Sequence, residues 1–167
     1  MTRGRSARRF APAKVNLFLH VGERRADGYH DLLSLVVFAD IGDQLEVREA
    51  KQTALVLNGP FAAAVPNGAD NLVLKAAGKL DIWAKERGHK TTGVELILEK
   101  NLPVSSGIGG GSSDAAAALH LLGAYWGLPI GVDEIEDMGL SLGADVPVCL
   151  RGEPTLVSGL GEALTPV

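Results

Sequence analysis

The chain has 167 residues, a length that suits one domain with a hydrophobic core of its own. Apolar residues make up 46% and charged residues 22%, a soluble globular composition that excludes a disordered or collagen-like chain. The net charge of −4 argues against a general nucleic-acid-binding protein. Cys149 is the only cysteine, which excludes an internal disulfide and a zinc site built on cysteines.

No run of about 18 uncharged apolar residues is found, and no apolar segment follows the N-terminal arginines. We therefore expect neither a membrane span nor a secretory signal, and a cytoplasmic location fits best. The basic residues at the start of the chain are Arg3, Arg5, Arg8 and Arg9. They predict a solvated, flexible tail over 1–9, ahead of one folded domain over 10–167.

The first half of the folded part reads mainly as strands. "KVNLFLHVG" (14–22) alternates in polarity and predicts a strand with one apolar face. That face would hold Val15, Leu17, Leu19 and Val21. Asp27-Gly28 is a turn signal, after which residues 32–47 predict one long strand or two short ones. Another strand is predicted over 53–59.

The second half mixes helices with strands. Apolar residues at helical spacing predict a helix from Asn71 to Gly88, capped by Asp70 or Asn71, and residues 93–100 return to strand alternation. The next helix follows a glycine-rich loop, has Ser112 or Ser113 as its cap, and buries Ala115, Ala118, Leu119, Leu122 and Trp126. Beyond it we predict a short helix over 131–143 and strands in "DVPVCL" and "PTLVSG". This order of elements indicates an α+β fold with helices on one face of a largely antiparallel sheet.

The glycine-rich loop in "LPVSSGIGGGSSDAAAALHLL" (102–122) lies between a predicted strand and a predicted helix. Unpaired N–H groups and the helix dipole favour an anion at such a point, and glycine lets the backbone approach a phosphate closely. Neither the Walker pattern nor the dinucleotide-binding pattern is present. A plain flexible corner ahead of a capped helix is the alternative interpretation.

Three segments resemble one known family. "LPVSSGIGGGSSDAAAAL" is similar to the phosphate-binding motif Pro-x-x-x-Gly-Leu-Gly-Gly-Gly-Ser-Ser-Asp/Asn-Ala of the GHMP kinases, with Ile108 in place of leucine. These small-molecule kinases are related to galactokinase, homoserine kinase and mevalonate kinase. "APAKVNLFLHVGERRADGYHDLLSL" (11–35) and "LGADVPVCLRGEPTLVSGLGEALTPV" (142–167) resemble the branch that acts on a cytidine diphosphate-linked methylerythritol.

The resemblance implies a fold and a reaction. The fold is the ribosomal protein S5 domain 2-like N-terminal domain of a GHMP kinase. The reaction moves the γ-phosphoryl group of ATP, with Mg²⁺, to the 2-hydroxyl of the cytidyl substrate in non-mevalonate isoprenoid synthesis. The implied partners are ATP and this small molecule, with no nucleic acid and no membrane. The alternatives are an inactive nucleotide-binding fragment, another small-molecule GHMP kinase such as one acting on homoserine, and a non-catalytic RNA-binding module.

The resemblance also implies site residues. Lys14 and Asp145 match the catalytic lysine and aspartate, and Ser112 or Ser113 would face Mg²⁺. The implied ATP-binding loop consists of Pro103, Val104, Ser105, Ser106, Gly107, Ile108, Gly109, Gly110, Gly111, Ser112 and Ser113.

For the acceptor, the resemblance implies that Tyr29 and His30 contact the cytosine, by stacking and by hydrogen bonds to its edge. Asn16 lies two positions from Lys14 and is expected on the same side of its strand. Asn16 and Asp145 would then both contact the part of the substrate that carries the reacting hydroxyl. Asn71 and Lys100 match positions near the nucleotide, although a helix cap and a strand-end lysine explain them equally well.

Members of the family are longer and carry a second domain with a further glycine-rich motif, so we expect that the C-terminal GHMP domain is absent from this chain. A fragment and a natural short product both remain open. Loss of a second domain would expose apolar surface and favour self-association.

Overall fold

The computed structural model describes residues 5–26 and 28–167. Its strands are β1 (Ser6–Arg24), β2 (His30–Glu49), β3 (Ala54–Asn58), β4 (Val94–Glu99), β5 (Thr155–Gly159) and β6 (Ala163–Pro166). Its helices are α1 (Leu72–Glu86), α2 (Gly110–Trp126), α3 (Val132–Leu140) and α4 (Val146–Arg151), with a 3-10 turn at Ala62–Ala64. This order confirms the predicted α+β class, and residues 32–47 belong to one long strand.

Strand β2 forms the centre of the sheet. One of its edges pairs antiparallel with β1, and the other pairs antiparallel with β4 through residues 44–49 and with β5 through residues 32–36. Strand β3 runs parallel to β4, the one parallel pair among the described strands, and β6 pairs antiparallel with β5. The sheet is therefore largely antiparallel, as predicted.

The core lies between this sheet and the helices. Helix α2 packs against α1, α4 and β1, and is buried on nearly all sides. The fully buried side chains of the core include Val36, Leu45, Val47, Val73, Leu80, Val94, Leu96, Leu119, Leu122 and Val146. Among the described residues, no helix is long and apolar enough to cross a membrane.

Residues 6–9, which were predicted as part of a flexible tail, belong to β1, because that strand begins at Ser6. Ser6 pairs with Arg48 of β2, and the Tyr125 hydroxyl donates a hydrogen bond of 3.1 Å to the carbonyl oxygen of Arg5. The Arg5 guanidinium also lies 4.9 Å from the centroid of the Tyr125 ring. These contacts hold the basic segment against the fold from residue 5 onward. Residues 1–4, with Arg3, lie outside the described residues, as does Asp27 of the predicted turn.

Three of the four residues of the predicted apolar face of the first strand are exposed to solvent, and Val15 is half-buried. Leu17, Leu19 and Val21 have exposed fractions of 61%, 55% and 62%. Irregularities between Pro12 and Lys14, and between Asn16 and Phe18, shift the pairing with β2. A single extra residue exchanges the faces of a strand, so alternation along β1 does not by itself indicate which side of the sheet the apolar face is on.

Two further predictions of secondary structure were wrong. "DVPVCL" forms helix α4, with a proline in its first turn and Gly152 in the left-handed conformation at its end. Helix α2 begins at Gly110 with Gly109 as its cap, so neither Ser112 nor Ser113 is the cap. The short strand β6 was not predicted.

Candidate active site

A cleft of about 360 Å³ opens beside the glycine-rich loop. One wall of the cleft is the loop (residues 103–112), and another is the start of α1 with the segment before it. Two charged side chains from the core also line the cleft. The lining residues outside the loop are Val65, Pro66, Asp70, Asn71, Leu72, Val73, Lys100 and Asp114. The volume falls in the usual range for small-ligand pockets, roughly 300–1,000 Å³. The cleft contains every predicted ATP-loop residue except Ser113.

The loop ends in a helix start that offers free backbone donors. The first hydrogen bond within α2 runs from the N–H of Ser113 to the carbonyl oxygen of Gly109, at 2.9 Å. The N–H groups of Gly110, Gly111 and Ser112 precede that bond and lack an intrahelical acceptor. They stand at the positive end of a 17-residue helix, where an anion is favoured.

The structure distinguishes the two serines of the motif. Ser113 is buried, and its hydroxyl donates a hydrogen bond of 2.7 Å to the carbonyl oxygen of Pro12. Ser112 is half-buried and lines the cleft. Ser113 therefore fastens α2 to β1, and Ser112 is the serine that faces the cleft.

Lys14 and Asp145 form an ion pair. The Lys14 Nζ lies 2.9 Å from Asp145 Oδ2, although the two residues are 131 positions apart in the chain. The Lys14 side chain is 6% exposed and the Asp145 side chain 52%. Asp145 stands at the N-cap of α4, but its carboxylate makes no capping hydrogen bond. The carboxylate is thus committed to the lysine on one side and is open to solvent on the other.

The same lysine touches the glycine-rich loop. Its backbone N–H donates to the carbonyl oxygen of Ile108 at 2.9 Å, which joins β1 to the loop. Gly109 adopts a left-handed φ of 64°, and a Cβ atom there would lie 2.9 Å from the Cβ of Lys14. The absence of a side chain at Gly109 is what lets the loop pack directly on Lys14.

Asn16 lies on the same face of β1 as Lys14, because the pairing with β2 is unbroken from Lys14 to Asn16. Its side-chain Nδ2 donates to Ser34 Oγ at 2.6 Å. Ser34 is itself buried on β2 and donates to the carbonyl oxygen of Phe18 at 2.7 Å.

Tyr29 and His30 lie at the turn of the β1–β2 hairpin and do not line the cleft. Tyr29 is 63% exposed. The Nδ1 atom of His30 is 3.0 Å from the carbonyl oxygen of Gly22. A carbonyl oxygen only accepts, so Nδ1 carries the proton, and Nε2 of a neutral ring is an acceptor.

Lys100 belongs to a buried charge cluster of three residues, Asp43, Lys100 and Asp114. Its Nζ donates to the carboxylate of Asp43 and, at 2.7 Å, to Asp114 Oδ2. Asp43 Oδ1 also accepts hydrogen bonds from the backbone N–H groups of Asn101 and Leu102, at 2.6 and 2.8 Å. The other oxygen of Asp114, Oδ1, is buried and has no hydrogen-bond partner among the described residues.

Burial and the charges of the neighbours shift the pKa values of Asp114 and Lys100. It raises the pKa of Asp114 to about 7, against the opposing effect of Lys100, and the neighbouring Asp43 adds to the rise. For Lys100, burial acts to lower the pKa, but the two carboxylates outweigh it and the pKa is raised. The cluster lies under the first turn of α2, where a Cβ at Gly110 would come within 3.0 Å of Lys100 Nζ.

Asn71 has a structural role. Its Oδ1 accepts from the N–H of Val73 at 2.9 Å, which caps α1, and its Nδ2 donates to the carbonyl oxygen of Pro66 at 2.8 Å. It also lines the cleft. The capping explanation and the nucleotide-proximal position are therefore compatible.

In the described part of the chain, no group of three or more His, Cys, Asp or Glu residues could hold a metal ion. The thiol of Cys149 lies 3.5 Å from Ser113 Oγ, and burial raises its pKa to about 11. A thiol with so high a pKa remains protonated near neutral pH and is a poor nucleophile.

Sequence reasoning missed Asp43 and Asp114, although a signal for the first was present. Leu45 and Val47 point into the core, so alternation along β2 also places Asp43 inward. On the paired strand β4, Val94, Leu96 and Leu98 point inward in the same way, and the alternation extends to Lys100, which directly follows the end of the strand at Glu99. Opposite charges at inward positions of paired strands predict a buried ion pair.

Comparison with known proteins identifies a family of kinases that this chain resembles. The family model described as the GHMP kinases N terminal domain matches residues 71–153. A 4-diphosphocytidyl-2-C-methyl-D-erythritol kinase of Dinoroseobacter shibae is 54% identical over 158 residues, covering 95% of this chain and 50% of the relative. The enzyme of the same name from Brucella abortus is 49% identical over 168 residues, covering 98% of this chain and 55% of the relative.

A solved structure of a kinase from the same family also matches this chain. The crystal structure of a 4-(cytidine 5'-diphospho)-2C-methyl-D-erythritol kinase matches with a TM-score of 0.80 and 38% identity, covering 96% of this chain and 55% of that one. The chain therefore spans about half the length of the curated relatives it matches.

The glycine-rich loop, the α+β sheet and these matches define the class as a small-molecule kinase domain. This chain belongs to the GHMP kinase family. The relatives from Dinoroseobacter shibae and Brucella abortus described above are both named as kinases of 4-diphosphocytidyl-2-C-methyl-D-erythritol.

Proposed function

We propose that the protein transfers the γ-phosphoryl group of ATP to the 2-hydroxyl of 4-diphosphocytidyl-2-C-methyl-D-erythritol, a step of non-mevalonate isoprenoid synthesis. The observation that carries the proposal is the Lys14–Asp145 ion pair, whose lysine packs against Gly109 of the cleft's glycine-rich loop. Relatives about 50% identical to this chain bear the name of that kinase, which supports the choice of acceptor.

The cleft is the proposed nucleotide site. Phosphoryl transfer has a loose transition state, so the protein contributes mainly by positioning groups and stabilising charge. The N–H groups of Gly110, Gly111 and Ser112 would hold phosphate oxygens, and Ser105 to Gly109 would surround them. Asn71 and Lys100 line the same cleft and would lie near the nucleotide.

The ion pair is the proposed acceptor site. Asp145 would orient the acceptor hydroxyl and take its proton as the oxygen forms its bond to the γ-phosphorus and ADP leaves. An aspartate is a weak base toward an alcohol, so orientation is the larger part of this role. Lys14 would stabilise the negative charge that develops on the same oxygen.

The hairpin turn is the proposed cytosine site. The exposed ring of Tyr29 offers a surface for stacking. With Nδ1 donating to Gly22, Nε2 of His30 would accept a hydrogen bond from the exocyclic amine of cytosine. Asn16 would contact the hydroxyl-bearing part of the substrate, next to Lys14.

Mg²⁺ is part of the proposal. At the loop, the Ser112 hydroxyl lines the cleft and would serve as an oxygen ligand of the ion, and the triphosphate would supply further oxygen ligands. Ser113 is bound to Pro12 and is disfavoured as a ligand. When bound, the ion would neutralise negative charge on the phosphates. We further propose that the reaction takes place in the cytoplasm, since the lone cysteine supports no disulfide and ATP is the donor.

The test is a transfer assay on the protein expressed from its intact gene. We expect Mg-ATP and the cytidyl substrate to give ADP and a phosphorylated product, seen by phosphorus NMR. Asp145→Asn should lower kcat by about 10²- to 10⁴-fold. Asp133→Asn, an exposed carboxylate in the first turn of α3, is the matched control and should leave kcat unchanged.

Other outcomes identify the alternatives. A rise in melting temperature with ATP, without phosphate transfer to any acceptor, would indicate a nucleotide-binding fragment. Strong activity on homoserine with none on the cytidyl substrate would refute the proposed acceptor and indicate another GHMP kinase.

A further inference from the structure

The β-bulge between Asn16 and Phe18 creates a short chain of side-chain hydrogen bonds. Asn16 pairs with Val36 and Phe18 with Leu35, so Leu17 is the extra residue on β1. Bulges of this kind disrupt the ladder locally and redirect neighbouring groups. Here the carbonyl oxygen of Phe18 accepts from Ser34 Oγ at 2.7 Å, and Ser34 Oγ lies 2.6 Å from Asn16 Nδ2.

The direction of these hydrogen bonds follows from the proton count. A carbonyl oxygen has no proton to give, so the single hydroxyl proton of Ser34 goes to Phe18. The atom of Asn16 that faces Ser34 must then be a donor, which is Nδ2 and not Oδ1. Ser34 is 2% exposed, so water cannot readily replace either partner. The serine therefore selects one of the two orientations of the Asn16 amide.

We propose that Ser34 is a positioning residue that fixes the amide of Asn16 so that Oδ1 accepts a hydrogen bond from a hydroxyl of the acceptor substrate. This inference rests on the proposed function. Asn16 and Lys14 share a face of β1 two positions apart, about 7 Å along the strand. A group at that distance from the ion pair reaches a hydroxyl next to the one that reacts. The recognised chemistry is a polyol with neighbouring hydroxyl groups.

The orientation matters because the substrate hydroxyl must find an acceptor and not an N–H group. In Ser34→Ala the side-chain amide of Asn16 loses its hydrogen-bond partner and can rotate by 180°, which exchanges the positions of Oδ1 and Nδ2. One hydrogen bond is worth about 0.5–1.5 kcal/mol, which corresponds to a change of roughly 2- to 13-fold in affinity. The effect is specific to the acceptor, since Ser34 does not line the nucleotide cleft.

The kinetic test is a double-mutant cycle of Ser34→Ala and Asn16→Ala in the protein expressed from its intact gene. We expect Ser34→Ala to raise KM for the cytidyl substrate about 2- to 13-fold, with KM for ATP and kcat unchanged. Since Ser34 acts through Asn16, the double variant should be no worse than Asn16→Ala alone. Ser158→Ala, on the neighbouring strand β5, is the control and should leave all three constants unchanged.

Additive losses, or a change in kcat and in KM for ATP, would overturn the inference and give Ser34 a merely structural role. Transfer that proceeds with normal KM in Asn16→Ala would overturn it while the proposed function stands. A direct measurement does not depend on turnover: the Asn16 side-chain amide should give a shifted, slowly exchanging NMR signal that Ser34→Ala abolishes. No transfer in the unsubstituted protein would refute the proposed function and the substrate role of Asn16, whereas an unchanged amide signal would refute positioning by Ser34.

Discussion

Asp114 shows how a single buried carboxyl group can oppose the stability of the fold. Its carboxylate is 5% exposed, one oxygen is bound to Lys100, and the other has no partner among the described residues. Lys100 already serves Asp43, so two carboxylates share one cation. The cluster carries an excess negative charge if all three groups are ionised. Burial therefore favours the protonated form of Asp114.

The first prediction concerns the pH dependence of stability. The pKa of Asp114 is raised from 3.8 to about 7, so between those values the folded state keeps a proton that the unfolded state has released. The favourable contribution of protonated Asp114 to the free energy of unfolding is fully present below pH 4. It is lost as the pH rises toward 7. Asp114→Asn removes it, so the variant should gain stability relative to the parent between pH 5 and pH 8. The limit is about 1.4 kcal/mol for each pH unit within the window.

Urea denaturation at pH 5 and pH 8 measures this difference. Asp133→Asn, which alters an exposed carboxylate, serves as the control and should keep a constant difference from the parent. A constant difference for Asp114→Asn as well would contradict the raised pKa.

The charged residues of this cluster also show what sequence reasoning can reach. The inward positions of Asp43 and Lys100 follow from strand alternation, and their pairing follows from the antiparallel register. Asp114 could not be predicted in the same way, because α2 is buried on nearly all sides and has no polar face to contrast with. Ser34 and the bulge beside it were also unpredictable, since pairing irregularities depend on the whole hairpin.

At the scale of elements, the start of α2 is set by packing and not by helix propensity. Two glycines are poor helix formers, so the sequence favoured a start at the following serines. In the structure, the absence of side chains at Gly109 and Gly110 lets the first turn approach Lys14 and Lys100. The loop and the helix start are therefore one unit, joined to β1 by the bond between Lys14 and Ile108.

The second prediction separates this close approach from backbone strain. In Gly109→Ala, the new methyl group would lie 2.9 Å from Lys14 Cβ and displace the lysine, so kcat should fall on the order of 10²-fold. Gly127 ends the same helix with a φ of 66°, close to the 64° of Gly109, and a Cβ there meets nothing within 4 Å. Gly127→Ala is thus a matched control for the left-handed backbone.

Both alanine variants should lose about 1–2 kcal/mol of stability, measured by urea denaturation. Only Gly109→Ala should lose activity in the transfer assay. If both lost activity equally, strain in α2 and not contact with Lys14 would be the cause.

Helix α4 shows where local pattern reading fails. Val146, Val148 and Leu150 alternate as a strand would, and a run this short fits either structure. The deciding signals were Pro147, which suits a first helical turn, and Gly152, which suits a helix end. Asp145 precedes this turn as the N-cap of α4, so the strand prediction placed this candidate catalytic residue on the wrong element.

At the scale of the whole molecule, the hairpin presents an apolar row to solvent. Leu17, Leu19 and Val21 follow one another at alternate positions and are each more than half exposed. Apolar rows of this kind tend to associate in water. The row lies on the strand that carries Lys14 and Asn16, close to the candidate acceptor site.

The third prediction is that this row drives self-association of the 167-residue chain. The double substitution Leu17→Ser and Leu19→Ser should shift the chain toward monomer, because it removes the apolar surface without touching the core. Sedimentation velocity over a range of protein concentrations measures the shift. Val132→Ser, at an isolated apolar residue of α3 that is 71% exposed, should leave the distribution unchanged. A monomeric parent chain, or an equal shift in the control, would contradict the prediction.

The partnership of Lys14 with Asp145 has a consequence for biosynthesis. Ribosomes add about 5–20 residues per second, so the aspartate is made about 7–26 s after the lysine that it will join. During that interval the nascent β1–β2 hairpin can form, but Lys14 does not yet have Asp145 as its counterion. The apolar row of Leu17, Leu19 and Val21 faces the surrounding solution during the same time. The ion pair can therefore form only after the β1–β2 hairpin has been made, and a nascent chain that stops before Asp145 would contain the hairpin without the candidate catalytic pair.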